Sequence, residues 1–169
     1  MKFIEELAGV DEEMRVYVDE SGINQYYQRE HGRAMRGVKI AGIKNGRKFQ
    51  RKNIIGGMCG GKYLAMQCYD WTTTSEFFED WFENALIPEV PAGCTIILDN
   101  ASFHRKAVLL KIALEKGVRV MFLPAYSPDY NPIEHSWANL KRWLRDNMQH
   151  FKYLTCAIFE FFEGSVLLN

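Results

Sequence analysis

A mixed α/β domain is the fold this chain should adopt. Short apolar runs of about four to eight residues read as strands, longer segments with apolar residues every three or four positions read as helices, and the two kinds alternate along the chain instead of segregating. With 169 residues, 47% of them apolar and 14% aromatic, there is material for one good core and no room for a second domain of ordinary size. The expected division is a lead-in over residues 1–13 and one domain over residues 14–169.

The elements follow in order. Residues 1–13 read as a frayed or helical lead-in, and Met14 to Asp19 as the first strand. After a basic stretch come two strand-like runs, Asn53 to Cys59 and Tyr63 to Asp70, joined by Gly60-Gly61, a pair suited to a tight hairpin. Thr72 to Thr74 can cap a helix whose apolar face carries Phe77, Phe78, Trp81, Phe82, Ala85 and Leu86, ending near Pro88. Its other face is acidic. Thr95 to Leu98 is a buried strand, Arg105 to Lys116 a helix closed by Gly117, and Val118 to Leu123 another strand. A connector with three prolines then leads into a helix with Ile133, Trp137, Leu140, Leu144 and Met148 on one stripe. A last apolar stripe, Leu154 to Phe162, is expected to pack internally.

The formal net charge is zero, but its distribution is lopsided. Between Gln28 and Lys52 stand nine Lys or Arg residues against the single acid Glu30, with Tyr26 and Tyr27 just before them. Such a stretch can follow a phosphate backbone while aromatics stack on bases; it can equally be a solvated loop and edge strand. No apolar run reaches membrane-spanning length, and the first six residues carry acids where a signal peptide carries basic and apolar ones. A soluble cytoplasmic chain is expected. Cys59, Cys68, Cys94 and Cys156 lack C-x-x-C spacing and read as reduced core residues. Gly56 to Lys62 approaches a phosphate-binding loop, but Tyr63 stands where Ser or Thr would ligate Mg²⁺, and a strand follows it. His31, His135 and His150 have no ligand spacing.

Three acids stand at element junctions: Asp19 and Asp99 each at the end of an apolar run, and Glu134 at the start of the helix after the proline-rich connector. Carboxylates from three elements can converge on divalent metal, the arrangement that phosphodiester chemistry uses. Each also has an ordinary reading. Asp19 and Asp99 suit turns; Glu134 suits the third position of a helix with Asn131 as N-cap and Pro132 first, where a glutamate completes a capping box. Lys141 and Arg145 lie seven and then four residues beyond Glu134, on a common face.

The runs Val18-Asp19-Glu20-Ser21-Gly22, Leu98-Asp99-Asn100-Ala101-Ser102-Phe103-His104 and Leu123-Pro124-Ala125-Tyr126-Ser127-Pro128-Asp129-Tyr130-Asn131-Pro132-Ile133-Glu134-His135-Ser136-Trp137, followed by Leu140-Lys141, resemble the catalytic domain of bacterial insertion-sequence transposases of the mariner-related superfamily. The resemblance runs from about Met14 to Met148, and the 34 residues between Asp99 and Glu134 match that superfamily's spacing. It implies a ribonuclease H-like fold, a five-stranded mixed sheet flanked by helices, and an Asp-Asp-Glu triad of Asp19, Asp99 and Glu134. It also implies two Mg²⁺ or Mn²⁺ ions, with Asp19 bridging, Asp99 on one ion and Glu134 on the other. The implied reactions are hydrolysis at the element's ends and attack of the freed 3′-hydroxyl on target DNA. Asn100 and His104 are expected to orient phosphate or a metal-bound water, and Lys141 and Arg145 to contact phosphate.

By the same resemblance the partners are DNA, both element ends and target, and a second copy in an active homodimer, acting at the bacterial nucleoid with no membrane. Such transposases ordinarily carry an N-terminal helix-turn-helix region. Only about a dozen residues precede the first strand, so a second reading frame, a truncated relic or an excised domain is expected. Two other classes stay open: a hydrolytic nuclease of the same fold, and a non-catalytic transposase-derived nucleic-acid-binding module. The first would ordinarily add a fourth acid late in the last helix; Asp146, twelve positions past Glu134, falls toward the opposite edge of that face.

Overall fold

A computed structural model describes residues 2–24, 51–124 and 130–166. Its sheet has five strands among the described residues: β1 (Arg15–Asn24), β2 (Arg51–Cys59), β3 (Lys62–Tyr69), β4 (Thr95–Leu98) and β5 (Arg119–Phe122). Across the sheet the order is β3-β2-β1-β4-β5. The pairings β1–β2 and β2–β3 are antiparallel, whereas β4 lies parallel to both β1 and β5. Only Arg51 and Lys52 of the basic run are described; His31 and residues 125–129 of the proline connector also lie outside the described residues.

Strand β1 extends five residues beyond the expected end. Glu20, Ser21 and Gly22, which locally resemble a turn, are drawn into the sheet by pairing with Ile55, Ile54 and Asn53 of β2. Long-range pairing here overrides local propensity. The hairpin after β2 turns at Gly60 and Gly61, whose φ values of 54° and 78° belong to the left-handed region that two-residue hairpins require. With a strand on each side, this segment is not a phosphate loop.

Alternation along the strands separates two cores. Tyr17 and Ile23 of β1, Ile54 of β2 and Ile97 of β4 face one layer; Val16, Val18, Ile55, Ile96 and Leu98 face the other. The first layer is covered by α5 (Ile133–Asn147) and α6 (Leu154–Val166). Ile133, Trp137, Leu140 and Leu144 of α5 and Leu154, Ala157, Ile158 and Phe162 of α6 are buried there, so the last apolar stripe packs internally as expected. Helix α1 (Lys2–Ala8) joins this core through Leu7, followed by Val10. The Arg15 guanidinium donates to the carbonyls of Leu7 at 3.0 Å and Val10 at 2.7 and 2.9 Å, satisfying acceptors at the end of α1.

The second layer is covered by α2 (Ser75–Trp81), a π-helical continuation over Phe82–Leu86, the short α3 (Ile87–Glu89), and α4 (Lys106–Glu115). Pro88 supplies no N–H and crowds the carbonyl four residues before it, and the widened turn ends with the Ile87 N–H bonded to the Phe82 carbonyl. The acidic face of α2 meets α4: the Arg105 guanidinium holds Glu79 at 2.6 Å through two nitrogens, and Lys116 lies 3.1 Å from Glu83. Helix α4 closes at Gly117, φ 70°, with the Val118 N–H returning to the Ala113 carbonyl at 2.8 Å.

Thr74 caps α2, its hydroxyl accepting from the Phe77 N–H at 3.3 Å. Thr74→Ala is expected to destabilise the domain by about 1 kcal/mol. Equilibrium urea unfolding checks this, and an unchanged midpoint would mean the cap contributes nothing.

Candidate functional site

The last pair of the β1–β4 ladder joins Tyr17 to Ile97. Two further residues along each parallel strand bring Asp19 and Asp99 to corresponding positions, both on the face of Tyr17 and Ile97. Neither acid sits in open solvent. Burial, then the charge of Glu20, push the Asp19 carboxyl up to about 7; hydrogen bonds from Trp137 and the Glu20 backbone pull against the rise, and the charge of Asp99 adds to it. Asp99 goes the other way. Burial pushes it up, but this is outweighed by the His104 hydrogen bond, the Ala101 N–H at 2.9 Å and the charge on His104, leaving it below the usual carboxylate range.

Helix α5 is docked on the middle of β1 by two side chains. The Trp137 indole N–H donates to Asp19 Oδ2 at 2.9 Å, and the Asn131 amide donates to the Val18 carbonyl at 3.3 Å. Asn131 is therefore spent on the strand: α5 has no side-chain cap, and the Glu134 N–H bonds the Asn131 carbonyl at 3.1 Å. The capping-box reading of Glu134 is not realised. Glu134 is exposed in the first turn of α5, three residues before Trp137, and residues so spaced share a helix face. No three His, Cys, Asp or Glu side chains among the described residues are gathered closely enough to hold a metal ion.

His104, expected to orient phosphate or a metal-bound water, lies buried beside Asp99. It is 7% exposed, packed 4.1 Å from the Phe78 ring, and lodged between two acids. Its Nδ1 lies 3.1 Å from Asp99 Oδ1 and its Nε2 3.5 Å from Glu20 Oε1. The second separation is an ion pair without hydrogen-bond geometry, since neither atom has a hydrogen-bond partner among the described residues. Asn100 is exposed, and its amide donates to the Leu123 carbonyl, tying the end of β4 to that of β5. Lys141 is half-buried and Arg145 exposed on α5. His135, Asp146 and His150 are exposed. The Glu20–His104 pair was not legible in the sequence; the alternation placing Glu20 opposite Asp19 was its only signal.

Burial depresses the His104 pKa, but the hydrogen bond to Asp99 and the nearby charge of Glu20 raise it to about 9, above the ordinary value of 6.5. The stabilisation from this charge is complete below pH 6.5 and is lost as pH rises through about 9. Wild type should therefore lose melting temperature relative to His104→Gln between pH 7 and 9.5. A difference constant with pH would contradict the assignment.

The donor chemistry fits a divalent cation. Two carboxylates, partly buried and mutually repelling, are hard oxygen ligands, and a cation beside them would relieve the burial and repulsion that hold Asp19 near neutrality.

Residues 14–155 match the family described as DDE superfamily endonuclease. A stretch of 56 residues is 38% identical to the uncharacterised protein y4pE/y4sA of Sinorhizobium fredii (strain NBRC 101917 / NGR234), covering 33% of this chain and 36% of that one. Among solved structures, a Mos1 transposase paired-end complex with left transposon end superposes with a TM-score of 0.65 at 14% identity, over 97% of this chain and 56% of that one. A Mos1 mariner paired end complex with Mn gives 0.63 at 16%, covering 97% and 57%. The catalytic domain of Mos1 mariner transposase gives 0.55 at 14%, covering 97% and 84%. These likenesses show the fold, which is the ribonuclease H-like one expected. The chain spans little more than half of the longer Mos1 chains and about a third of the Sinorhizobium protein. No helix among the described residues is long and apolar enough to cross a membrane.

Proposed function

Because the chain belongs to the DDE superfamily endonucleases, we propose that it is a transposase catalytic domain that cuts DNA phosphodiesters at element ends and joins the freed 3′-hydroxyl to target DNA. The observation that carries this reading is the placement of Asp19 and Asp99 two residues beyond the last β1–β4 pair on one sheet face, with α5 fastened over that face by Trp137. In this reading Asp19, Asp99 and Glu134 are the catalytic acids and metal ligands. These three carboxylates would hold the ions and supply their hard oxygen ligands. Glu134 completes the set by side-chain rotation from the exposed first turn of α5.

Two Mg²⁺ or Mn²⁺ ions held there would supply an activated water and charge stabilisation at the departing oxygen. The chain's own residues do the rest. Trp137 holds one oxygen of Asp19 and leaves the other for binding. His104, backed by Glu20, and the Ala101 N–H hold Asp99 Oδ1, so that Asp99 stays ionised and oriented. Lys141 and Arg145, on the helix that carries Glu134, are placed to meet the flanking phosphates. A homodimer, with DNA ends and target as partners, suits a reaction that pairs two ends; in a bacterium the site of action is the nucleoid.

The test is conversion of supercoiled plasmid to open circles, and joining of a labelled duplex, in Mg²⁺ or Mn²⁺. Absence of both cleavage and metal binding would sink the reading. A linked result is expected in melting experiments. Asp19 ionises only as pH passes about 7, so its destabilising charge is absent at low pH and complete above that value. Below pH 7 a cation must also displace a proton. The rise in melting temperature on adding Mn²⁺ should therefore be larger at pH 8 than at pH 6; an equal rise would place the ion elsewhere.

A further inference from the structure

We propose that Cys59, Cys94 and Met14 form a three-sulfur site for one soft monovalent cation, Cu(I) in character, at the end of the sheet away from the acids. This does not rest on the function proposed above. Cys59 ends β2, Cys94 immediately precedes β4 and Met14 immediately precedes β1, so three elements bring their sulfurs together. Cys59 Sγ lies 3.8 Å from Cys94 Sγ, and Cys94 Sγ lies 4.0 Å from Met14 Sδ. Both cysteines are free and buried; Met14 is half-buried, and an ion can approach from its side. Asp19 is five residues along β1 from Met14, about 16 Å away.

The spacing suits a bound ion. Placed about 2.3 Å from each sulfur, an ordinary metal–thiolate length, it would subtend about 110° at the cysteine pair and about 120° at Cys94 and Met14. Both angles are near those of trigonal coordination, so the sulfurs would move little on binding. The donor set selects the ion. Thiolate and thioether sulfur together favour Cu(I). A closed Zn²⁺ site takes four ligands from thiolate, imidazole and carboxylate, and no His, Asp or Glu side chain among the described residues joins this cysteine pair to make such a cluster.

A disulfide is the competing use of two close thiols, and the sheet opposes it. Strand β1 runs between β2 and β4. Two strand spacings, about 9.5 Å, separate the backbones of those strands, more than the roughly 7 Å between Cα atoms that a disulfide spans. Burial, then the hydrogen bond and charge of Cys94, also push the Cys59 thiol up to about 11, so little of the oxidisable thiolate exists at neutral pH. An ion reaches across the gap that a disulfide does not. On binding, each thiol gives its proton to solvent, Cys59 releasing the Glu13 carbonyl that lies 3.2 Å from its sulfur, and the thioether adds a lone pair. The bound ion would tie β2, β4 and the lead-in to one point and stabilise the domain.

The test is anaerobic titration of the full chain with Cu(I) in competition with a colorimetric Cu(I) chelator. Wild type should take up one ion, show ultraviolet thiolate-to-metal absorption, release two protons per ion and melt at a higher temperature. Cys59→Ala and Cys94→Ala should each lose the absorption and weaken binding beyond the about 10- to 100-fold that loss of a supporting group costs. Met14→Leu, which conserves side-chain volume, should keep the metal-free melting temperature and weaken binding by roughly 10-fold. A double variant, Cys68→Ala with Cys156→Ala, should bind as wild type does. No uptake against the chelator, uptake that survives Cys94→Ala, or equal affinity in Met14→Leu would each overturn the site. Excess Mn²⁺ should leave the Cu(I) in place; displacement by it would overturn the assignment to soft sulfur ligands.

Discussion

Asp99→Asn is expected to abolish metal-dependent nicking, a loss greater than the roughly 10- to 100-fold that removing a supporting partner of a metal ligand costs. The substitution is conservative in shape. An asparagine oxygen can still accept from the Ala101 N–H and from His104 Nδ1, so the loop after β4 should hold its course. What disappears is the negative charge, and with it the affinity for a hard cation. The His104 imidazolium loses one of the two acids that sustain it, so its pKa should fall towards neutrality. Plasmid nicking, a melting curve and calorimetric Mn²⁺ titration together check the result. Nicking that survives in Asp99→Asn would remove Asp99 from the chemistry, whatever the fold resembles.

Trp137→Phe is expected to lower nicking by about 10- to 100-fold at pH 7 and to recover much of the loss at pH 9. The indole N–H is the side-chain hydrogen bond that holds the Asp19 pKa down against burial and two neighbouring charges. Without it the carboxyl rises further above about 7. Since the ionised form binds the cation, a raised pKa means less competent protein at any pH near neutrality, and the acidic limb of the pH–rate profile moves to higher pH. Phenylalanine keeps most of the ring volume in the core with Phe162. A uniform loss at every pH would point to packing alone.

Much of the fold was legible because it depends on local periodicity. The strand runs at Asn53, Tyr63, Thr95 and Val118, the capped helix at Thr74 and the Gly60-Gly61 hairpin lie within a residue or two of expectation. The position of Asp99 just past the end of β4 could be read for the same reason, whereas Asp19, expected at a strand end, lies in the middle of β1. What escaped depends on partners distant in sequence. Glu20 to Gly22 read as a turn until β2 offered ladder bonds. Asn131 read as a cap because sequence shows its neighbours, not the Val18 carbonyl above it. The burial of His104 against Phe78 follows from layer packing that no spacing encodes.

The two side chains that fasten α5 to β1 have a consequence for synthesis. They join residues 113 and 118 positions apart, at opposite ends of the chain in order of production. While the ribosome has delivered β1, the hairpin and even β4, Asp19 has no indole to hold it and Glu134 does not yet exist. Every truncated product that stops before α5 thus carries Asp19 without the indole that holds it. A prematurely terminated copy cannot assemble the proposed set of three, however well its strands pair.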